Sequence, residues 1–246
     1  MKNMKITVIA AALAGSMLLA APANAALLGT VNADFVDVNP TGTGEGVGGG
    51  IFNFVRKAGG DFTGTLLPDS PLGSFVGICL DISQTVNTGE ATYEIRTLDD
   101  APVPGTPMGV AKAADLAKLI GSALGGVLSS ASTLSTVNAA GLQLAIWEIV
   151  NETTLPYSIT DGNFMGGIPN WTSPSDAALT AAEAYLTAFK AYTGPAAEGL
   201  VAMINGKSQD FLVQTVVPIP AAAWLLGSGL LGLFGLARRK KAATAA

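Results

Sequence analysis

Nineteen consecutive residues without a charge, Ile219 to Ala237, run into Arg238-Arg239-Lys240-Lys241, and that block limits what the rest of the chain folds into. As a helix rising about 1.5 Å per residue, the run just crosses a hydrocarbon core about 30 Å thick. The four basic residues resist transfer and hold the tail in the cytoplasm. A second apolar stretch, Ile6 to Ala20, follows Lys2 and Lys5 and leads to Ala23-Asn24-Ala25. That is the layout of a secretory signal peptide, with Ala26 expected as the first mature residue. The expected organisation is therefore a signal peptide over 1–25, one extracytoplasmic domain over 26–216, and a membrane-anchoring tail over 217–246.

Charge narrows the partners. The chain holds 13 basic and 18 acidic residues, and six of the basic ones (Lys2, Lys5, Arg238, Arg239, Lys240, Lys241) lie in the terminal segments. The exported part keeps 7 basic and 18 acidic groups, a net charge of −11. Such a domain repels nucleic acid and anionic lipid, so no nucleic-acid partner is expected. There is no His, which removes Ser-His-Asp triads, Cys-His pairs and His-ligated metals. No cofactor and no enzymatic activity are expected. Cys79 is the only cysteine; one thiol in an oxidising compartment forms no internal disulfide and calls for a reason.

Hydrophobic patterning predicts an α+β domain, an antiparallel sheet or sandwich interrupted by a helical insert. Strands are expected at Ile51–Val55, Asp61–Leu67, Ser74–Ile82, Ala91–Leu98 and Phe211–Val216. Helices are expected at Val110–Leu128, at Ser135–Asn151 with Ser135 as N-cap, and at Pro174–Tyr192 with Ser173 as N-cap. Thr41 to Gly50 (TGTGEGVGGG) reads as a flexible loop, and Pro156 to Thr172 as irregular.

Two residues stand out. In the strand from Ser74, alternation sets Val76, Ile78, Leu80 and Ile82 on the expected core face, leaving Phe75, Gly77, Cys79 and Asp81 on the other. In the helix from Ser135, Asn138, Glu148 and Glu152 share one side, and Gln143 sits within the apolar side formed by Ala139, Ala140, Ile146, Trp147 and Val150. An unpartnered buried amide costs about 1–3 kcal/mol, so Gln143 either makes hydrogen bonds or does chemistry.

Two resemblances attach to these features. Val217-Pro218-Ile219-Pro220-Ala221, the Trp224 to Ala237 span and the Arg238 to Lys241 stop occur in the order of a PEP-CTERM sorting signal of Gram-negative bacteria, in its VPLPA-type variant. That resemblance implies secretion, transient anchoring in the inner membrane, processing by an exosortase-type enzyme, and a final place at the cell surface or in the extracellular matrix. Gly77-Ile78-Cys79-Leu80-Asp81, followed by Leu142-Gln143-Leu144-Ala145-Ile146-Trp147-Glu148, resembles the Cys-Gln thioester domains of bacterial surface adhesins, with Leu142 where Thr is usual. It implies an internal thioester between Cys79 and Gln143, shielded by Phe75 and Trp147, that captures an amine-bearing partner. The alternative is a non-covalent structural or carbohydrate-associated matrix protein with a free Cys79. A hydrolase built on Asp81, Asp99, Asp100 and Glu148 has no favouring spacing, and solvated faces account for those groups. Tyr157, Phe164 and Trp171 read as core plugs, with sugar stacking as the alternative.

Overall fold

A computed structural model of the chain describes residues 27–67, 73–161, 164 and 173–216. Strands β1 (Leu27–Thr41), β2 (Gly50–Lys57), β3 (Ser74–Cys79) and β4 (Glu90–Thr97) come first. Helices α1 (Gly109–Leu124), α2 (Thr136–Asn151) and α3 (Asp176–Ala191) follow, then β5 (Leu200–Asn205) and β6 (Ser208–Gln214). The α+β class and the helical insert agree with the sequence reading. The sheet is not a sandwich: all six strands pair antiparallel and close into one barrel, in the order β1-β2-β3-β6-β5-β4.

Closure depends on the length of β1. Its 15 residues pair with β4 from Leu27 to Asp34 and with β2 from Asn32 to Thr41, so one strand serves two neighbours. Full closure leaves no sheet edge to attract another chain. The lumen is filled with rings. Phe54 of β2 and Tyr93 of β4 are not on neighbouring strands, yet their centroids lie 6.5 Å apart across the interior. Phe211 stands edge-on to Phe54 at 4.8 Å, and Phe75 stacks on it at 5.4 Å. A Cβ at Gly77 would meet the Phe211 Cβ at 3.1 Å and Phe54 Cε2 at 3.3 Å, so the glycine makes room for these rings.

The face assignment on β3 therefore changes. Phe75, Gly77 and Cys79 line the lumen, so the face opposite the expected core face is itself core. Ile78 belongs to the outer face, in register with Ile51 and Leu212, and all three are wholly buried. Both faces are core because α2 lies against β1, β2 and β3 from outside.

Helix α2 departs from its expected amphipathic pattern. Every residue from Ala139 to Val150 is buried, including Glu148 on the side expected to be polar. Ser135 caps it as expected, its Oγ accepting the Asn138 N–H at 3.3 Å. Helix α3 starts two residues later than expected, capped by Ser175 rather than Ser173. Asp61–Leu67 is not a strand; only an isolated bridge from Leu66 to Thr215 remains. No described helix is long and apolar enough to cross a membrane. The segment 1–25, the motif Val217 to Ala221, the apolar run to Ala237 and Arg238 to Lys241 all lie outside the described residues, as does Trp171.

Candidate functional site: the Cys79–Gln143 junction

The structure brings together the two residues that the sequence singles out, by a particular route. A primary carboxamide presents one donor and one acceptor side by side, as a peptide unit does. Gln143 uses both on the main chain of Cys79. The Cys79 N–H donates to Gln143 Oε1 at 3.2 Å, and Gln143 Nε2 donates to the Cys79 carbonyl at 2.9 Å. Gln143 is wholly buried and Cys79 is 1% exposed.

The local topology explains why a side chain takes this place. The β2–β3 ladder ends at Ile51 opposite Ile78. On its other side β3 continues against β6, with Leu80 N–H donating to the Asp210 carbonyl at 2.9 Å. Successive peptide groups of a strand point to opposite sides, so the Cys79 N–H and C=O face the place where β2 would have continued. There β2 turns away through Gly50, whose φ of 150° favours glycine. Helix α2 fills the gap with Gln143, whose amide completes the ladder.

Gly49 makes the fit possible. A Cβ there would lie 2.8 Å from Gln143 Cγ, 3.0 Å from Oε1 and 3.1 Å from Cδ. The glycine-rich segment is thus no flexible loop but an ordered strap over Gln143. Its base closes through Gly42 N–H to the Gly49 carbonyl at 2.7 Å and Val47 N–H to the Gly42 carbonyl at 3.0 Å. Its outer turn is pinned to the start of α3. Ser173 and Ser175 N–H donate to the Gly46 and Glu45 carbonyls, each at 2.8 Å, and Ser175 Oγ donates to Glu45 Oε2 at 2.6 Å. The composition announced the glycines; only the fold shows what they cover.

The electrostatics of the junction are those of a dry site. Burial pushes the Cys79 thiol well above its ordinary pKa, and the charge of Asp81 adds to the effect. Where it is unbonded, the sulfur is held as a neutral thiol. A carbonyl carbon lies about 1.2 Å from its oxygen, so Gln143 Cδ lies within about 4.4 Å of the Cys79 nitrogen, given the 3.2 Å bond. An acyl carbon therefore sits beside the residue that bears the thiol, with a main-chain N–H on the acyl oxygen. Phe75 is buried on the same lumenal face as Cys79, and Trp147, one turn beyond Gln143 on α2, is 1% exposed.

Two of the four carboxylates expected to be solvated are not, while Asp99 and Asp100 are partly exposed. Asp81 and Glu148 are 2% and 0% exposed. Asp81 meets Asp210, which the sequence did not flag: Asp210 N–H donates to Asp81 Oδ2 at 2.9 Å, while Asp210 accepts from Val103 N–H at 2.6 Å and Asn205 N–H at 2.8 Å. Glu148 accepts the Ser158 N–H at 2.8 Å, Glu183 the Ile159 N–H at 3.0 Å, and Glu152 the N–H groups of Thr153, Thr154 and Phe164. These carboxylates anchor loops. Asp100 is taken up by Arg96 at 2.5 Å. Tyr157 and Phe164 are buried, which removes them as a sugar-stacking platform. A cleft of about 520 Å³ between Asp81, the Pro102–Pro107 segment and Lys112 includes neither Cys79 nor Gln143.

No protein-family model, curated protein or solved structure matches this chain.

Proposed function

We propose that this is an exported surface or matrix protein, sorted through a PEP-CTERM-type tail, that attaches covalently to an amine-bearing partner through a Cys79–Gln143 thioester. The observation that carries the proposal is the double hydrogen bond between the Gln143 carboxamide and the Cys79 main chain, in a site closed to water. Attack of the Cys79 sulfur on Gln143 Cδ forms the S–C bond. The C–N bond then breaks, and the thiol proton leaves with the amide nitrogen as ammonia. The Cys79 N–H is placed to hold the negative charge that develops on Oε1, as an oxyanion-hole donor does. An amine partner later attacks the same carbon, leaving an amide bond and a free Cys79 thiol. Neither step needs a His or a metal.

A second reading rests on the same two bonds. Gln143 is then a structural amide completing the ladder, Cys79 stays a thiol held neutral by burial, and the protein is a non-covalent matrix component. Intact mass decides. The thioester predicts a value about 17 Da below that required by the protein's own termini, restored by Cys79→Ala. The full value, with Cys79 open to alkylation after unfolding, supports the structural amide. The same spectrum tests the sorting reading, which expects a chain starting at Ala26 and lacking everything beyond Val217 to Ala221.

A further inference from the structure

We propose that the strap from Thr41 to Gly50 gates access to the Gln143 acyl carbon, and that the Glu45–Ser175 contact is its latch; the proposal rests on the thioester reading and adds its regulation. Gln143 is wholly buried, and Gly49 packs directly on its carboxamide. Gly48, the residue before, is exposed, so one residue of main chain separates the carboxamide from solvent there. An amine approaching from this side reaches Cδ only when the strap lifts.

The strap is built to move as a unit. Its turn is closed by Gly46 N–H to the Thr43 carbonyl at 3.1 Å, and its base by the Gly42–Gly49 and Gly42–Val47 bonds, all internal. Six glycines leave Val47 as its one buried aliphatic anchor. Among the described residues, the hydrogen bonds that pin the outer turn to the start of α3 pass through Glu45, Gly46, Ser173 and Ser175. One contact there is a hydrogen bond to a carboxylate, stronger than its neutral neighbours. Ser175 Oγ also accepts the Ala178 N–H at 3.1 Å, so the latch residue is the N-cap of α3. A partner that competes for Ser175, or pulls on the start of α3, would open the site at the moment of contact. The electrophile would thus stay sealed from water until the partner docks.

The test starts with the intact mass of the purified chain, because a full mass ends the thioester reading without deciding the gate. If the mass is low, methylamine addition at limiting methylamine is compared in wild type, Glu45→Ala and Glu45→Gln. If it is full, alkylation of native Cys79 by N-ethylmaleimide is compared in the same three proteins. Glu45→Ala should raise either rate by about tenfold, the factor a lost hydrogen bond to a charged acceptor commands. Glu45→Gln keeps an acceptor for Ser175 and should stay within about threefold of wild type. Equal rates in all three proteins, or equal acceleration by both variants, overturn the gate. Hydrogen exchange on the wild type needs no variant. The Ser173 and Ser175 amides, which donate to the strap, should exchange together and faster than those of β3; exchange only through global unfolding overturns the gate as well.

Discussion

Gln143 and Glu148 stand five residues apart on α2, both wholly buried, and each holds backbone groups that no strand or helix partners. The means differ. Gln143 is neutral and answers both a donor and an acceptor of Cys79, so nothing at that junction is charged. Glu148 answers a single N–H, of Ser158, and its Oε2 has no hydrogen-bond partner among the described residues. Burial lifts its pKa to about 7, and the negative charges of Glu152 and Glu183 add to the rise. The middle of the helix is built for a fixed fit, and its last turn for a fit that depends on protons.

A double-mutant cycle breaks or sharpens the neutral half of this contrast. A covalent bond between residues 64 apart would make Cys79→Ala cost about 4 kcal/mol by restoring loop entropy to the unfolded chain. Gln143→Ala would cost at least as much, and the double variant little more, a coupling on the order of 3 kcal/mol. The ladder alone predicts otherwise. Both hydrogen bonds go to the main chain of Cys79, so its replacement would cost about 1 kcal/mol. Gln143→Ala would still cost about 3 kcal/mol for the cavity and two unpaired backbone groups, and the two effects would add. Urea denaturation of the four proteins reads the difference.

The acidic half should show in pH. Glu148 and Asp210 both have folded pKa values raised to about 7 by burial, from ordinary values of 4.5 and 3.8. A group that binds its proton more tightly when folded stabilises the fold fully below its unfolded value, and that gain is lost as pH rises through the folded value. The urea midpoint should therefore fall between pH 5 and pH 8. Glu148→Gln keeps an oxygen for the Ser158 N–H and removes the charge. It should flatten part of that fall and raise stability at pH 8 by about 1–2 kcal/mol. A midpoint that is level, or that rises with pH, would show that these carboxylates are better solvated than their burial indicates.

What the sequence revealed and what it hid divide along the same line. Local chemistry was legible: the Ser135 cap, the apolar run of α2 and the existence of β3 all carry their signal within a few residues, whereas the alternation in β3 did not tell that both its faces are core. Cys79 and Gln143 could be paired only through the resemblance, since no local rule joins positions so far apart. Barrel closure was not legible, because it rests on β1 serving two neighbours, and Leu27–Thr41 alternates weakly and is broken by Asn39-Pro40. β5 is a short apolar run between Gly199 and Gly206, a pattern that fits a buried helix turn as well. The buried glutamates were misread because periodicity reports which side is polar, not whether a loop will come to cover it. The strap was misread for the opposite reason: glycine signals backbone freedom, and here that freedom serves close approach.

That last point carries the smallest expected effect. Gly48 and Gly49 are adjacent and indistinguishable in the sequence, yet one is exposed and the other lies on the Gln143 carboxamide. Gly49→Ala puts a methyl where Cγ, Oε1 and Cδ already sit within 2.8 to 3.1 Å. Either the strap lifts or Gln143 shifts off the Cys79 main chain, at a cost of about 1–2 kcal/mol. Gly48→Ala, at an exposed position, should change stability by less than about 0.5 kcal/mol. Thermal unfolding of the two variants side by side measures the contact of strap and amide directly. Equal effects would mean that the strap rests on Gln143 without being shaped by it, and the neutral junction would lose its claim to a fixed fit.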